Sequence, residues 1–309
     1  MAQHASTPAD TAKYVRTYKL PREALNPEHL NDRVVWEALL EMDMPLTALV
    51  RNLATMTRVG VLDSKEHLGV VLAALASEDA IRGARVHPLA LLIALRTYAA
   101  GHGFRGQNTW APKPSVIDAL DGAFYLAFDN VEPSGKKHML AIDVSASMDW
   151  PQSTIAGTML KAREAAAAMA LVTLHAEEDD VEICVFADMV RPLGLSRRQR
   201  LDDVVRAISD LPATRTDCAL PMLYATRENR KIDSFVVYTD SETWFGTVHP
   251  KEALDQYRNL SGIPARSVVV GMVSNGFTIA DPQDPGMLDC VGFDAATPGI
   301  ISEFALGRV

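Results

Sequence analysis

From His138 onward the chain repeats one pattern, and that pattern limits the folds open to it. Short apolar, β-rich runs alternate with longer stretches of helical character. The runs are His138–Asp143, Val181–Phe186, residues 190–193, Ser234–Thr239 and residues 266–273. The helical stretches cover 155–176, 198–210, 220–229 and 250–260. Strands separated by helices are how a mostly parallel, doubly wound sheet is written in sequence, because each crossover needs a helix to return the chain to the same edge. In such sheets ligands bind beyond the carboxyl ends of the strands, near the point where the strand order reverses.

Three of the segments expected at that edge carry oxygen donors. The first strand run closes on Asp143-Val144-Ser145-Ala146-Ser147. Thr216 precedes the stretch 220–229, and the run 234–239 closes on Asp240. Asp143, Ser145, Ser147, Thr216 and Asp240 are all hard oxygen donors, which suit Mg²⁺ or Mn²⁺ better than a thiophilic metal. Mg²⁺ takes an octahedral set at roughly 2.0–2.1 Å and keeps waters, so partial coordination by protein fits it.

Charge points the same way. Residues 1–137 hold 15 Lys and Arg against 15 Asp and Glu, whereas residues 138–309 hold 15 against 24. The net charge of −9 therefore belongs to the half with the oxygen donors. An acidic surface attracts cations and opposes broad contact with a phosphate backbone.

The first half reads differently. Residues 28–42, 45–58, 68–75, 89–100 and 114–128 show helical periodicity, with Asp63-Ser64-Lys65-Glu66 and His87-Pro88 as start signals and Gly101 and Gly103 as stops. Short connections between these helices suggest stacked pairs of the HEAT type. Residues 1–26 are expected to be a tail and lead-in, partly disordered, followed by a helical domain over 27–131. Glu132-Pro133-Ser134-Gly135-Lys136-Lys137 forms the boundary, and an α/β domain spans 138–309.

The five-donor pattern resembles the metal-ion-dependent adhesion site of von Willebrand factor A domains. That resemblance implies Ser145, Ser147 and Thr216 as direct metal ligands, with Asp143 and Asp240 direct or bridged by water. It also implies one coordination position left for an acidic group of a protein partner. Longer segments are more specific: residues 87–98, Gly101-His102-Gly103, residues 143–148, Thr216-Asp217-Cys218, residues 239–243 and residues 274–282. Together they resemble the Ro autoantigen, or TROVE-domain, family from about residue 13 to near the C-terminus.

The fold class expected is therefore α plus α/β, a HEAT-like helical array followed by a von Willebrand A-type, Rossmann-like sheet. Members of that family are ring-shaped RNA-binding proteins. A von Willebrand A domain closes the ring, small noncoding Y RNAs bind outside, and 3′ ends of defective RNAs enter the hole. Bacterial members associate with exoribonucleases through Y RNA. Relative to the family, this chain carries only the later part of the helical region. A ring closed by one chain is not expected, none of the family's main RNA contacts is carried over, and a homo-oligomer is one way to rebuild a ring.

Other residues divide between local and functional roles. Lys13, Arg16, Lys19 and Arg22, interleaved with Tyr14 and Tyr18, form the basic and aromatic segment best suited to RNA, with a solvated helix lead-in as the alternative. His87, His102 and Arg105 fit capping and turn chemistry, Arg197-Arg198-Gln199-Arg200 a surface run at a helix start, and Asp149 an added charge beside the metal loop. The sequence has neither a Gly-x-Ser-x-Gly nor a Walker loop, which favours a non-catalytic RNA–protein scaffold. A protein-interaction or oligomerisation module without RNA binding, or a metal-dependent hydrolase, are the alternatives. Three well-separated cysteines and the absence of a long apolar run point to a cytoplasmic protein with no membrane span.

Overall fold

The structure is a computed structural model of the 309-residue chain. It describes residues 5–105, 107–177, 180–209, 215–240, 246–273, 279–292, 294 and 296–309. Contacts divide the chain into two compact units, one ending at Asn130 and the other beginning at Val131.

The first unit is helical. Its α-helices among the described residues are α1 (Pro8–Tyr18), α2 (Arg33–Glu41), α3 (Leu46–Arg58), α4 (Lys65–Ala76), α5 (Glu78–Ala84), α6 (Pro88–Ala100) and α7 (Pro114–Leu126). Their starts follow local chemistry. Ser64 accepts from His67 N, Ser77 from Ala80 N, and the His87 ring from Leu89 N, each supplying an acceptor for an otherwise orphaned first-turn amide. His87 is thus a cap, and burial lowers its pKa to about 4. Gly101, with φ of 71°, ends α6 in the left-handed region that favours glycine.

Residues 1–26 are not simply a tail. Thr7 caps α1, and Thr11, Ala12 and Val15 are buried along its inner face. Three small or β-branched residues at helical spacing bury as a stripe that the flanking polar residues mask in sequence. The helical pattern over 28–42 is likewise two elements: a 3₁₀ segment, Pro27–Asn31, and α2, divided where Asp32 takes an extended conformation and caps Val34 N. α5 lies in a stretch where no helix was expected, held by the Ser77 cap and by buried Ile81.

The second unit is a six-stranded sheet of order β3-β2-β1-β4-β5-β6. The strands are β1 (His138–Asp143), β2 (Val181–Phe186), β3 (Val190–Pro192), β4 (Ser234–Thr239), β5 (Arg266–Gly271) and β6 (Met287–Val291). All pairings are parallel except β2 with β3, which the short turn between them makes antiparallel. The helices are α8 (Ala162–Ala176), α9 (Leu201–Ser209), α10 (Leu220–Arg227), α11 (Pro250–Ser261) and α12 (Thr297–Ala305).

Alternate residues of the central strands face opposite layers. Met139, Ala141, Phe235 and Val237 pack with Met222 of α10 and Leu254 and Tyr257 of α11. Leu140, Val236 and Tyr238 face Met169 and Val172 of α8 and Ile301 of α12. β1 and β4 are buried at every position, as expected for strands covered on both sides. β6 and α12 complete the sheet beyond the elements expected. β6 is only partly buried, so it lacks the continuous apolar run that marks β1 and β4.

The entry to β1 is pinned by a buried acid. Glu177, at the end of α8, accepts from Ser134 N and from Gly135 N at 2.9 Å. His138 Nε2 lies 3.5 Å from its carboxylate and 2.8 Å from Ser134 Oγ. Burial alone would raise the Glu177 pKa, but interactions with His138 and Ser134 outweigh it and hold it at about 2. A carboxyl depressed from its ordinary 4.5 stabilises the fold above that value and loses its contribution as pH falls toward 2. Glu177→Gln should therefore flatten the acid limb of a pH-dependent denaturation curve in that window. At neutral pH it should cost about 1.5–3 kcal/mol, read from the urea midpoint.

Candidate metal centre

The strand order reverses between β1 and β4: β2 and β3 lie on one side and β5 and β6 on the other. The crevice opens beyond their carboxyl ends, where β1 finishes in Asp143 and β4 in Thr239 followed by Asp240.

Asp143 is fully buried and is the hub. Its Oδ1 accepts from Ser145 N at 2.8 Å. Its Oδ2 accepts from Thr239 Oγ1 at 2.7 Å and from Thr216 Oγ1 at 3.3 Å. One carboxylate thus touches all three loops. The first loop leaves β1 with Val144 N donating to Phe186 O, then turns through the 3₁₀ segment Ala146–Asp149, anchored by buried Met148. Ser145 Oγ and Ser147 Oγ stand 3.0 Å apart. The second loop is tied to the sheet by Asp217 N donating to Ala187 O. Asp217 accepts from Ala219 N, ahead of α10, and a Cβ at Gly246 would collide with its carboxylate.

The electrostatics are those of gathered anions. Burial, and then the charge of Asp240, push the Asp143 pKa up to about 6 despite the hydrogen bonds it accepts. Asp240 is itself buried. Burial, followed by the charges of Asp143, Asp217 and Asp240, pushes the Cys218 thiol well above its ordinary value, which makes it an unreactive core group.

Among the described residues no cluster of three or more His, Cys, Asp or Glu side chains could hold a metal. The donor set here is of another kind: buried carboxylates at two strand ends, with hydroxyls from Ser145, Ser147 and Thr216 between them. Such a set suits a hard divalent cation, and two neighbouring buried carboxylates are the feature a cation would compensate.

All five expected donors are at this edge, and Asp143 contacts Ser145 and Thr216 directly. Residues 210–214 and 241–245, which flank Thr216 and Asp240, lie outside the described residues, as do 274–278 within the segment 274–282. Thr239 was not among the expected donors. Its position at the end of a strand, next to a carboxylate, is the one sequence signal for it. The basic segment Lys13, Arg16, Lys19 and Arg22 lies in the first unit. Lys13, Lys19 and Arg22 are exposed, whereas Arg16 is engaged by Glu41 of α2 through contacts of 2.7 and 3.0 Å.

A doubly wound sheet with an Asp-x-Ser-x-Ser loop at its switch point defines a von Willebrand A-type domain. Residues 137–305 match the Ro60 vWA domain, and residues 3–97 match the TROVE domain. The chain belongs to the Ro60 family. The RNA-binding protein RO60 of Caenorhabditis elegans is 42% identical over 96% of this chain, and that of Deinococcus radiodurans 44% identical over all of this chain. The crystal structure of the Deinococcus radiodurans RO (RSR) protein superposes with a TM-score of 0.93 and 43% identity, over all of this chain and 62% of that one. The chain spans 45% and 58% of the length of the two curated relatives.

A buried aspartate with a raised pKa penalises the metal-free fold once it ionises. Its contribution to stability falls as pH rises from 3.8 through about 6. Asp143→Asn should raise the melting temperature of the metal-free protein at pH 7 and remove the slope of stability against pH in that interval, both measurable by differential scanning calorimetry.

Proposed function

We propose that this chain is a non-catalytic RNA-binding component of a ribonucleoprotein, with a Mg²⁺ or Mn²⁺ adhesion site in its von Willebrand A-type domain. The observation that carries the reading is similarity to proteins named RNA-binding across both units, together with the oxygen donors gathered on Asp143. The RNA class is a small noncoding, Y RNA-like molecule, and the context is quality control of misfolded small RNAs. Lys13, Lys19 and Arg22, with exposed Tyr18 beside Tyr14, offer cations for phosphate and rings for stacking. Arg16 supports that surface indirectly, since its guanidinium is paired with Glu41.

At the metal centre, Ser145, Ser147 and Thr216 would hold the ion directly, and Asp143 and Asp240 directly or through water. A bound divalent ion supplies a Lewis-acidic position that an acidic oxygen of a protein partner can fill. Asp143 orients the hydroxyls of Thr216 and Thr239, and the buried floor of the crevice limits water. Association with an exoribonuclease and assembly into a homo-oligomer fit the same role. Among the described residues no helix is long and apolar enough to cross a membrane, and cytoplasmic residence agrees with the free cysteines Cys184, Cys218 and Cys290.

A second reading, a protein-interaction or oligomerisation module without RNA binding, is favoured by the acidity of residues 138–309. Affinity for a structured RNA with a single-stranded 3′ tail, measured across salt concentrations, separates the two. The RNA reading expects several phosphate contacts and a steep logarithmic fall of affinity with salt. No binding at low salt would leave the second. Independently, Mg²⁺ should raise the melting temperature of the wild-type protein and leave the Asp143→Ala/Ser145→Ala variant unchanged. An equal Mg²⁺ response in both proteins removes the metal assignment.

A further inference from the structure

Behind the first site loop sits a cation that none of the preceding chemistry uses. Arg163, in the first turn of α8, is 6% exposed. Its Nη2 donates to the carbonyls of Val144 at 3.3 Å and Ser145 at 3.0 Å. Its Nη1 pairs with Asp149 at 2.7 Å. One guanidinium therefore grips the loop at both ends: the backbone just after Asp143, and the side chain two residues after Ser147. The 3₁₀ turn that carries Ser147 lies between these grips.

Burying an arginine is costly, and this one is not fully repaid, since its Nε has no hydrogen-bond partner. The planar fork satisfies the loop at the expense of the arginine's own solvation. Lysine carries its three donors on one nitrogen and lacks the two separated Nη groups with which the guanidinium reaches the carbonyls and the carboxylate at once.

We infer that Arg163 is a positioning residue for the metal centre: by fixing the Val144–Asp149 loop as one rigid piece, it holds Ser145 and Ser147 at the close spacing a small octahedral ion requires and so favours Mg²⁺ over Ca²⁺. The physical basis is that Mg²⁺ demands near-ideal geometry at roughly 2.0–2.1 Å, whereas Ca²⁺ accepts longer, variable bonds from flexible ligands. Selectivity between them follows site rigidity as well as ligand type. Arg163 touches no donor oxygen of the five, so its effect runs through the backbone. The inference rests on the metal reading above and concerns which ion the site prefers.

The experiment measures binding of Mg²⁺ and Ca²⁺ alone by isothermal titration calorimetry to the full chain and to three variants: Arg163→Lys, Arg163→Met and Asp149→Asn. Circular dichroism and the metal-free melting temperature report folding. The expected result for Arg163→Met is a loss of Mg²⁺ affinity of about ten-fold or more, the size typical of outer-shell partners, with a smaller loss for Ca²⁺. The Mg²⁺/Ca²⁺ preference therefore narrows. Arg163→Lys should fall between wild type and Arg163→Met. Asp149→Asn, at a side chain 47% exposed, should narrow the preference in the same direction, with its folding checked by the same two readouts. An unchanged Mg²⁺/Ca²⁺ ratio in both Arg163→Lys and Asp149→Asn overturns the inference while leaving the metal site standing. A wild-type chain that binds neither ion overturns the metal reading itself, and this inference with it.

Discussion

The carboxylate of Asp143 is the point on which the second unit's edge depends. It is the last residue of the central strand, fully buried, and hydrogen-bonded to the backbone of its own loop and to hydroxyls of two others. Loops at the edge of a parallel sheet have no strand partner to fix them, so their geometry needs a common acceptor. An ionised carboxylate has two oxygens and about four acceptor sites, enough for donors from several loops at once. The arrangement carries a cost: the group is desolvated beside a second buried acid, and its pKa rises to about 6. A fold that keeps two such acids together places a demand on its surroundings for positive charge.

Much of this could be read in the chain before the fold was known. The runs for β1, β4 and β5 stood out because parallel strands covered on both faces must be apolar throughout, and residues such as Leu140, Val236 and Val268 are. The placement of Asp143 and Asp240 at the sheet edge was legible for a related reason. A polar residue directly after a buried strand must lie at its end, and the doubly wound rule places those ends together. The elements that escaped lack that contrast. α1 buries only Thr11, Ala12 and Val15, too small a stripe to stand out among its polar neighbours. β6 is partly exposed, and its Asp289 accepts from the amides of Ile279 and Ala280 instead of reading as strand core. Arg163 is hidden most thoroughly. Nothing local distinguishes a buried arginine at a helix start from an exposed one, since its burial is decided by the carbonyls of a loop eighteen to nineteen residues earlier.

The two units divide the charge between them, and their chemistry differs accordingly. The first is close to neutral, and much of its cationic capacity is engaged internally: Arg16 with Glu41, Arg33 with Glu37, Lys113 with Asp63. On α1 and just after it lies a short exposed cluster, Lys13, Lys19 and Arg22, the last 3.9 Å from Glu23, with two tyrosines one helical turn apart. A cluster of that size has charge for only a few phosphates, so the RNA proposed for it would be positioned largely by shape or by other surfaces.

The acidic unit has the opposite problem, and the choice of hydroxyl donors bears on it. Each serine or threonine at the centre occupies a place where a hydrolytic site would ordinarily put another carboxylate or a second metal. A neutral donor cancels none of a cation's charge, so an ion held largely by Ser145, Ser147 and Thr216 stays electrophilic toward an anionic oxygen from outside. Two described groups are already committed: Cys218 is buried with its thiol pushed well up, and Asp143 accepts from three donors. On the proposed reading, such a centre serves to hold an acidic group. The role proposed for Arg163 is then geometric: its guanidinium holds the backbone at Val144 and Ser145 and the side chain of Asp149, on either side of Ser147.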